Sequence, residues 1–221
     1  LALLLENLVT ANDLAFQVEV VVLDNASDDE TGEVLESYRS RMTLRTFCQR
    51  QAVTQADNMV AALRAGRGRY LLSVSDDERI DPKALGEILT YLSGTPEVDL
   101  LALPGCPLEG GADDHGPSEF PFAEPRSFAA DKALDCINFM LADSIQPAAF
   151  IYKASGLNKV MVGPHRLNAD FVFVFRALRY GTVCFYPNSY CRSSIKKVDG
   201  MQDGAAHWRR LKQEAMKLDQ Y

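Results

Sequence analysis

Two short apolar runs in this chain stop abruptly on acids, and that pattern limits the folds open to it. VEVVVL (18–23) runs into DNASDDE (24–30), and YLLSV (70–74) runs into SDDE (75–78). Apolar, β-branched runs of this length without polar alternation read as strands buried on both faces. Helical signals follow each. Ser27-Asp28-Asp29-Glu30 has the spacing of a capping box before Val34, Leu35 and Tyr38,. Asp81-Pro82 is a strong helix start, since proline needs no amide partner at the first helical position, and Leu85, Ile88, Leu89 and Leu92 supply its inner face,. Residues 53–65 read as a helix ending at Gly66 and Gly68, and LLALP (100–104) as a third strand. Strand, helix, helix, strand, helix, strand, with crossovers long enough for parallel pairing, predicts an α/β domain with a mostly parallel central sheet.

The remainder is less regular. Residues 105–127 are rich in glycine, proline and acids and read as a long surface loop,. A helix around 131–141, a strand at 148–152, a short helix near 154–160, a helix over 168–181 stopped by Gly181, a strand at 182–187 and a charged terminal helix at 203–219 follow. The chain divides along the same lines, into 1–104, 105–202 with the long acidic loop, and a terminal helix at 203–221.

Composition excludes several classes. With 221 residues, 47% of them hydrophobic, the chain can bury a real core, and its net charge of -7 disfavours a broad nucleic-acid face,. Five dispersed cysteines without a CxxC pair argue against a zinc knuckle or a disulfide framework and fit a reducing compartment,. No apolar run approaches the roughly 18 residues that span a bilayer. LALLLENLVTANDL has neither the basic start nor the cleavage site of a signal peptide,. These features predict a cytoplasmic location. The basic face of HWRRLKQEAMKL adds peripheral contact with the inner membrane face as an expectation, beside plain packing on the domain,. Neither GxGxxG nor GxxxxGK[ST] occurs, and no G-x-S-x-G elbow supports nucleophilic chemistry,. His115, His165 and His207 have no mutual spacing that would make a metal site.

Acids at the carboxyl ends of buried strands lie where open α/β sheets bind ligands. Hard oxygen ligands at Ser75-Asp76-Asp77-Glu78 suit Mg²⁺ or Mn²⁺, which bind through one or two carboxylates and substrate phosphates,. The other reading is a solvated helix start. Asp24 can accept a hydrogen bond from a base imide or ribose, or cap its own turn.

Taken together, Asp24-Asn25-Ala26-Ser27 with Asp29, Asp57-Asn58, Ala65-Gly66, Gly68-Arg69-Tyr70 and Ser75-Asp76-Asp77-Glu78 resemble the motif series of the family 2 GT-A glycosyltransferases. The flavour is that of the abequosyltransferase-like or rhamnosyltransferase-like branch of bacterial surface-polysaccharide enzymes. The resemblance is good over roughly residues 1–95 and loose beyond. It implies a Rossmann-like GT-A fold whose first strand, usually ending in a PTYNR-like segment, is expected to precede Leu1. It implies a nucleoside-diphosphate sugar as donor, a saccharide or lipid-linked glycan as acceptor, and Mg²⁺ or Mn²⁺ as cofactor. Donor contacts fall on Asp24, Asn25, Asp57 and Asp76, and metal contacts on Asp77 and Asp76. Ser75 departs from the family, standing where its first motif aspartate is usual. Arg64 and Arg69 are candidate phosphate partners. Leu167-Asn168-Ala169-Asp170 occupies the place of the family's catalytic acid pair, making Asp170 the expected base for the acceptor hydroxyl in an inverting transfer. A sugar-nucleotide nucleotidyltransferase and a non-catalytic nucleotide-sugar-binding protein of the same fold are the alternatives.

Overall fold

The computed structural model describes residues 1–11, 18–76, 78–105, 120–143, 145, 147–161 and 170–193. The chain opens with α1 (Ala2–Ala11), then β1 (Val20–Asp24), α2 (Thr31–Tyr38), β2 (Leu44–Cys48) and α3 (Gln55–Ala65). There follow β3 (Tyr70–Leu72), β4 (Glu78–Ile80), α4 (Pro82–Gly94) and β5 (Val98–Leu103). The second half comprises β6 (Arg126–Phe128), α5 (Ala133–Ala142), β7 (Ala149–Lys153), α6 (Leu157–Val160), α7 (Asp170–Leu178), β8 (Thr182–Phe185) and β9 (Cys191–Ser193).

Three ladders result: a parallel pair β1–β2, a five-stranded sheet ordered β3-β7-β5-β8-β6, and a short antiparallel pair β4–β9. The expected mostly parallel central sheet is not what forms. In the five-stranded sheet only β5–β8 is parallel, whereas β3–β7, β7–β5 and β8–β6 are antiparallel. The reason lies in β7. Both β3 and β5 run antiparallel to it, so they point the same way, as their long crossover demands,. Yet β7 has inserted between them. The crossover lengths are right about direction and silent about adjacency.

The core follows from these strands. In β5, Leu100, Leu101, Ala102 and Leu103 are fully buried, with α3, α5 and α7 packed on one face and α1 and α4 on the other. Asp99 interrupts this run at a bulge opposite β8, and its carboxylate accepts the Thr182 N–H at 3.0 Å. In α4, Asp81 caps as expected, its Oδ1 accepting the N–H groups of Lys83 and Ala84, while Leu85, Ile88 and Leu92 are buried.

Two further expectations change. Of the loop expected over 105–127, residues 106–119 lie outside the described residues; beyond them Phe120 is buried and joins Phe122, Phe128, Phe139 and Phe185 in an aromatic cluster with centroids 5.2–6.1 Å apart, and the short strand β6 begins at Arg126. Cys48, Cys136 and Cys184 are free, but Cys191 is in a disulfide whose other half lies outside the described residues. That removes the cysteine argument for a reducing compartment. Among the described residues no helix is long and apolar enough to cross a membrane. The terminal helix expected over 203–219 lies outside them.

Candidate functional site

The carboxyl ends of β1 and β2 form one wall. Asp24 is the last residue of β1, and its Oδ1 accepts both the Ser27 N–H at 3.0 Å and the Ser27 hydroxyl at 2.6 Å. The expected capping box of Ser27 with Glu30 therefore does not form. Helix α2 starts without a side-chain cap at Glu30, and Asp29 accepts the Thr31 N–H instead. Between Asp24 and Ser27 the turn places Ala26 at φ 63°, left-handed backbone that costs a residue with a Cβ about 1–2 kcal/mol,. Asp24 Oδ2 faces the Cys48 thiol, which approaches to 3.4 Å from the partner strand. The Ser27 hydroxyl holds the Asp24 carboxyl below the usual carboxylate range despite partial burial, and the Asp24 carboxylate in turn pushes the Cys48 thiol up. Asp24 is thus an ionised acceptor with one oxygen committed to its own turn.

Asn25 and Asn58 bind this wall to α3. Asn25 pairs with the Val53 backbone through both amide atoms, donating to its carbonyl at 3.0 Å and accepting its N–H at 2.9 Å. Asn58 donates to the Leu23 carbonyl at 2.9 Å. Asp57 is occupied differently. Thr54 Oγ1 accepts the Asp57 N–H at 3.2 Å and donates to Asp57 Oδ2 at 2.6 Å, so Asp57 closes the N-terminal cap of α3. The candidate phosphate partners are also placed: Arg64 donates to the Met161 carbonyl at 3.4 Å, and Arg69 lies over the Tyr70 ring.

Helix α3 then decides where β3 points. Its start is pinned to Asn25 beyond the carboxyl end of β1, whereas at its end Arg45, near the amino end of β2, donates to the Ala65 carbonyl. Arg67 N–H meets Glu19, which precedes β1. The helix therefore returns the chain to the amino ends of β1 and β2. Close packing at Gly66, where a Cβ would lie 2.5 Å from Leu71 Cδ2, fixes the entry into β3. From there β3 carries the chain on to Ser75 and Asp76.

The turn after β3 is held from below by Glu78. Glu78 Oε2 accepts the Ser75 N–H at 3.0 Å and the Tyr190 phenol O–H at 3.0 Å, and Glu78 N–H returns to the Ser75 carbonyl at 3.1 Å. Tyr190 is 1% exposed, and burial together with the Glu78 charge raises its phenol well above the ordinary value. Sequence reasoning missed this residue, which follows the turn-like Pro187-Asn188-Ser189 and has no apolar pattern around it to signal burial. Ser75 and Asp76 are exposed, while Asp77 lies outside the described residues. Among the described residues no three His, Cys, Asp or Glu side chains gather to hold an ion. A hard cation that keeps its waters and takes substrate phosphates needs only one or two carboxylates, so the donor chemistry of this turn fits a substrate-completed site, not a protein cage. Asp170 opens α7; its side chain, together with His165 and Asn168, lies outside the described residues.

Comparison with known proteins bears on the whole of this arrangement. Residues 2–145 match the model of the family described as glycosyl transferase family 2. Uncharacterized proteins of Mycobacterium tuberculosis and Mycobacterium bovis are 33% identical over 137 residues, which is 59% of this chain and 38% of theirs. The chain thus spans well under half the length of those relatives. Among solved structures, S. aureus TarS 1–349 in complex with UDP-GlcNAc superposes with a TM-score of 0.66 at 18% identity, covering 95% of this chain and 60% of that one. The mannosyltransferase PcManGT from Pyrobaculum calidifontis, in complex with GDP-Man and Mn²⁺, gives 0.59 at 16% identity, covering 94% and 56%.

Proposed function

Because the chain belongs to glycosyl transferase family 2, we propose that it moves a sugar from a nucleoside-diphosphate donor to a saccharide or lipid-linked saccharide acceptor, inverting the anomeric carbon. The observation that carries the reading is a pair of acidic strand ends within the matched residues 2–145: Asp24 stands ionised at the carboxyl end of β1, and Ser75 and Asp76, both exposed, follow β3. Asp24 accepts from the base imide or the ribose, with Asn25 holding the surrounding loop. Asp76 and Asp77 would hold Mg²⁺ or Mn²⁺, which supplies charge neutralisation to the departing diphosphate. The GDP-Man and Mn²⁺ bound to PcManGT, and the UDP-GlcNAc bound to TarS, support a donor and cofactor of this kind.

In the transfer, the acceptor oxygen bonds to the anomeric carbon as the bond to the diphosphate oxygen breaks and its electron pair leaves with the nucleotide. Asp170 takes the acceptor proton. A carboxylate does this well only with a raised pKa or tight geometry, within about 2.6–3.2 Å of the hydroxyl. The narrower placement in an abequosyltransferase-like or rhamnosyltransferase-like branch rests on motif resemblance alone, and a donor screen reads it. Peripheral contact with the cytoplasmic face of the membrane belongs to the same proposal, because a lipid-linked acceptor would present itself there.

The test is turnover of a panel of UDP-, GDP- and dTDP-sugars with Mn²⁺, scored by the released nucleotide. Nucleoside diphosphate is the expected product, and Asp77→Asn is expected to abolish metal-dependent release while leaving the circular-dichroism spectrum unchanged. Pyrophosphate release would assign a nucleotidyltransferase instead. Undiminished turnover by Asp77→Asn would overturn the metal assignment.

A further inference from the structure

The acids of the Ser75–Glu78 turn do not share one role. Asp76 is exposed, whereas Glu78 points back and collects donors: one oxygen accepts the backbone N–H of Ser75 and the phenol of Tyr190. Tyr190 reaches the turn from inside the molecule. Its ring packs in the core with Leu85, Ile88 and Leu103, and its backbone carbonyl accepts the Asp81 N–H at 2.9 Å. Glu78 opens the three-residue strand β4 and Asp81 follows it, and the antiparallel ladder with β9 registers Ile80 against Cys191 next to Tyr190. One residue therefore grips both ends of β4: the α4 cap by its backbone and the acidic turn by its side chain.

Resting on the glycosyltransferase reading above, we propose that Glu78 and Tyr190 are positioning residues of the donor site: they clamp the turn that presents Asp76, so that affinity for a cation–nucleoside diphosphate depends on a buried hydroxyl that never touches it. A turn of neighbouring carboxylates is disfavoured by its own charge and by the entropy of ordering an exposed backbone. Tying the Ser75 amide to a carboxylate anchored in the core removes much of that freedom before the ligand arrives. Pre-organisation of this kind shows in affinity, not in the chemistry of transfer.

The experiment uses the full-length protein with Mn²⁺–UDP and Mn²⁺–GDP as probes in titration calorimetry, beside amide hydrogen exchange at Ser75. Tyr190→Phe keeps the ring in the core and removes only the hydroxyl. It is expected to weaken binding of the complex about tenfold, the loss of one hydrogen bond to a charged group, and to speed Ser75 exchange by a similar factor. Glu78→Gln retains a carbonyl oxygen for both donors and is expected to bind within about threefold of wild type, whereas Glu78→Ala follows Tyr190→Phe. If Gln fails as badly as Ala, Glu78 is an ion ligand and the clamp is wrong. If wild type binds and Tyr190→Phe binds equally well with Ser75 exchange unchanged, the clamp alone is overturned. Wild-type protein that binds neither complex overturns the donor-site reading, and with it the clamp's purpose.

Discussion

Gly181 follows α7 and precedes β8, and the structure leaves no room there for a side chain. A Cβ on Gly181 would lie 1.9 Å from Asp99 Oδ2 and 2.5 Å from Asp99 Cγ. Gly181 is not in the left-handed region, so the constraint is space and not backbone conformation. In Gly181→Ala the Asp99 carboxylate must swing away, which breaks its 3.0 Å bond to the Thr182 N–H and disturbs its 3.4 Å ion pair with Lys153. A hydrogen bond to a charged group contributes about 1.5–3 kcal/mol. The ion pair is about a quarter to a third exposed and adds at most about 1 kcal/mol,. The expected loss is about 2–4 kcal/mol, which for a chain of this size lowers Tm by roughly 4–16 °C. Urea denaturation of the single variants and of the double variant with Asp99→Ala checks the mechanism: with the carboxylate gone, the alanine should cost less than about 1 kcal/mol more. Gly181→Ala within about 0.5 kcal/mol of wild type would refute the argument, because no other contact so close is present at that Cβ.

Three other outcomes are expected. Asp57→Ala should lower stability by about 1 kcal/mol in urea, through loss of the bond from the Thr54 hydroxyl to Asp57 Oδ2, with Mn²⁺–UDP binding unchanged,; weakened binding at unaltered stability would return Asp57 to the donor site. Asp24 has a depressed folded pKa, so its contribution is present above the unfolded value of about 3.9 and is lost as pH falls through the folded one,. Asp24→Asn should therefore flatten the acid arm of stability below about pH 4, and urea midpoints between about pH 2 and 6 read it. Asp170→Asn should slow transfer by about 100-fold or more while donor binding measured by calorimetry stays the same; equal losses in both would assign Asp170 a structural role.

Much of the fold was legible because its strands announce themselves by continuous apolar sequence, although β1 is only half-buried and β3 buries one residue of three. Val20–Asp24, Tyr70–Leu72 and Val98–Leu103 lie within or beside the runs that predict them, and Asp81-Pro82 marks the start of α4 to the residue. Strands that carry their own polar groups were not legible. β2 reads LRTFC, with arginine and threonine side by side and Phe47 exposed, and β4 reads ERI. Such segments become strands only because a neighbour offers a ladder: β1 for the first, β9 for the second. The mixed sheet was hidden for a related reason. Nothing in Ala149–Lys153 says that it will lie between β3 and β5, since strand order is fixed by how the two faces of β5 are covered and not by any local pattern.

The site turns on a spacing found at three of its turns, where the hydrogen bonds explain why motif strings mislead about individual acids. Ser27-x-x-Glu30, Thr54-x-x-Asp57 and Ser75-x-x-Glu78 all have the hydroxyl-to-acid interval of a capping box,. At Thr54 the forward bond forms and the hydroxyl, in place of the amide, donates to Asp57 Oδ2, so an aspartate that the family resemblance assigns to the ligand also serves the cap of α3. At Ser75 only the backward bond forms, from the Ser75 amide to Glu78, and the second donor is the distant Tyr190. At Ser27 the box fails because Asp24, three residues earlier, competes for both the amide and the hydroxyl, and it wins with a 2.6 Å bond. What separates an acid available to a substrate from one already spent is the position of the nearest N–H or O–H donor. Thr54 supplies that donor locally and so could have been read from sequence, whereas Tyr190 lies 112 residues away and could not. Motif resemblance therefore proposes the edge at which a nucleotide would bind, and the hydrogen-bond geometry shows which of its carboxylates already hold a donor.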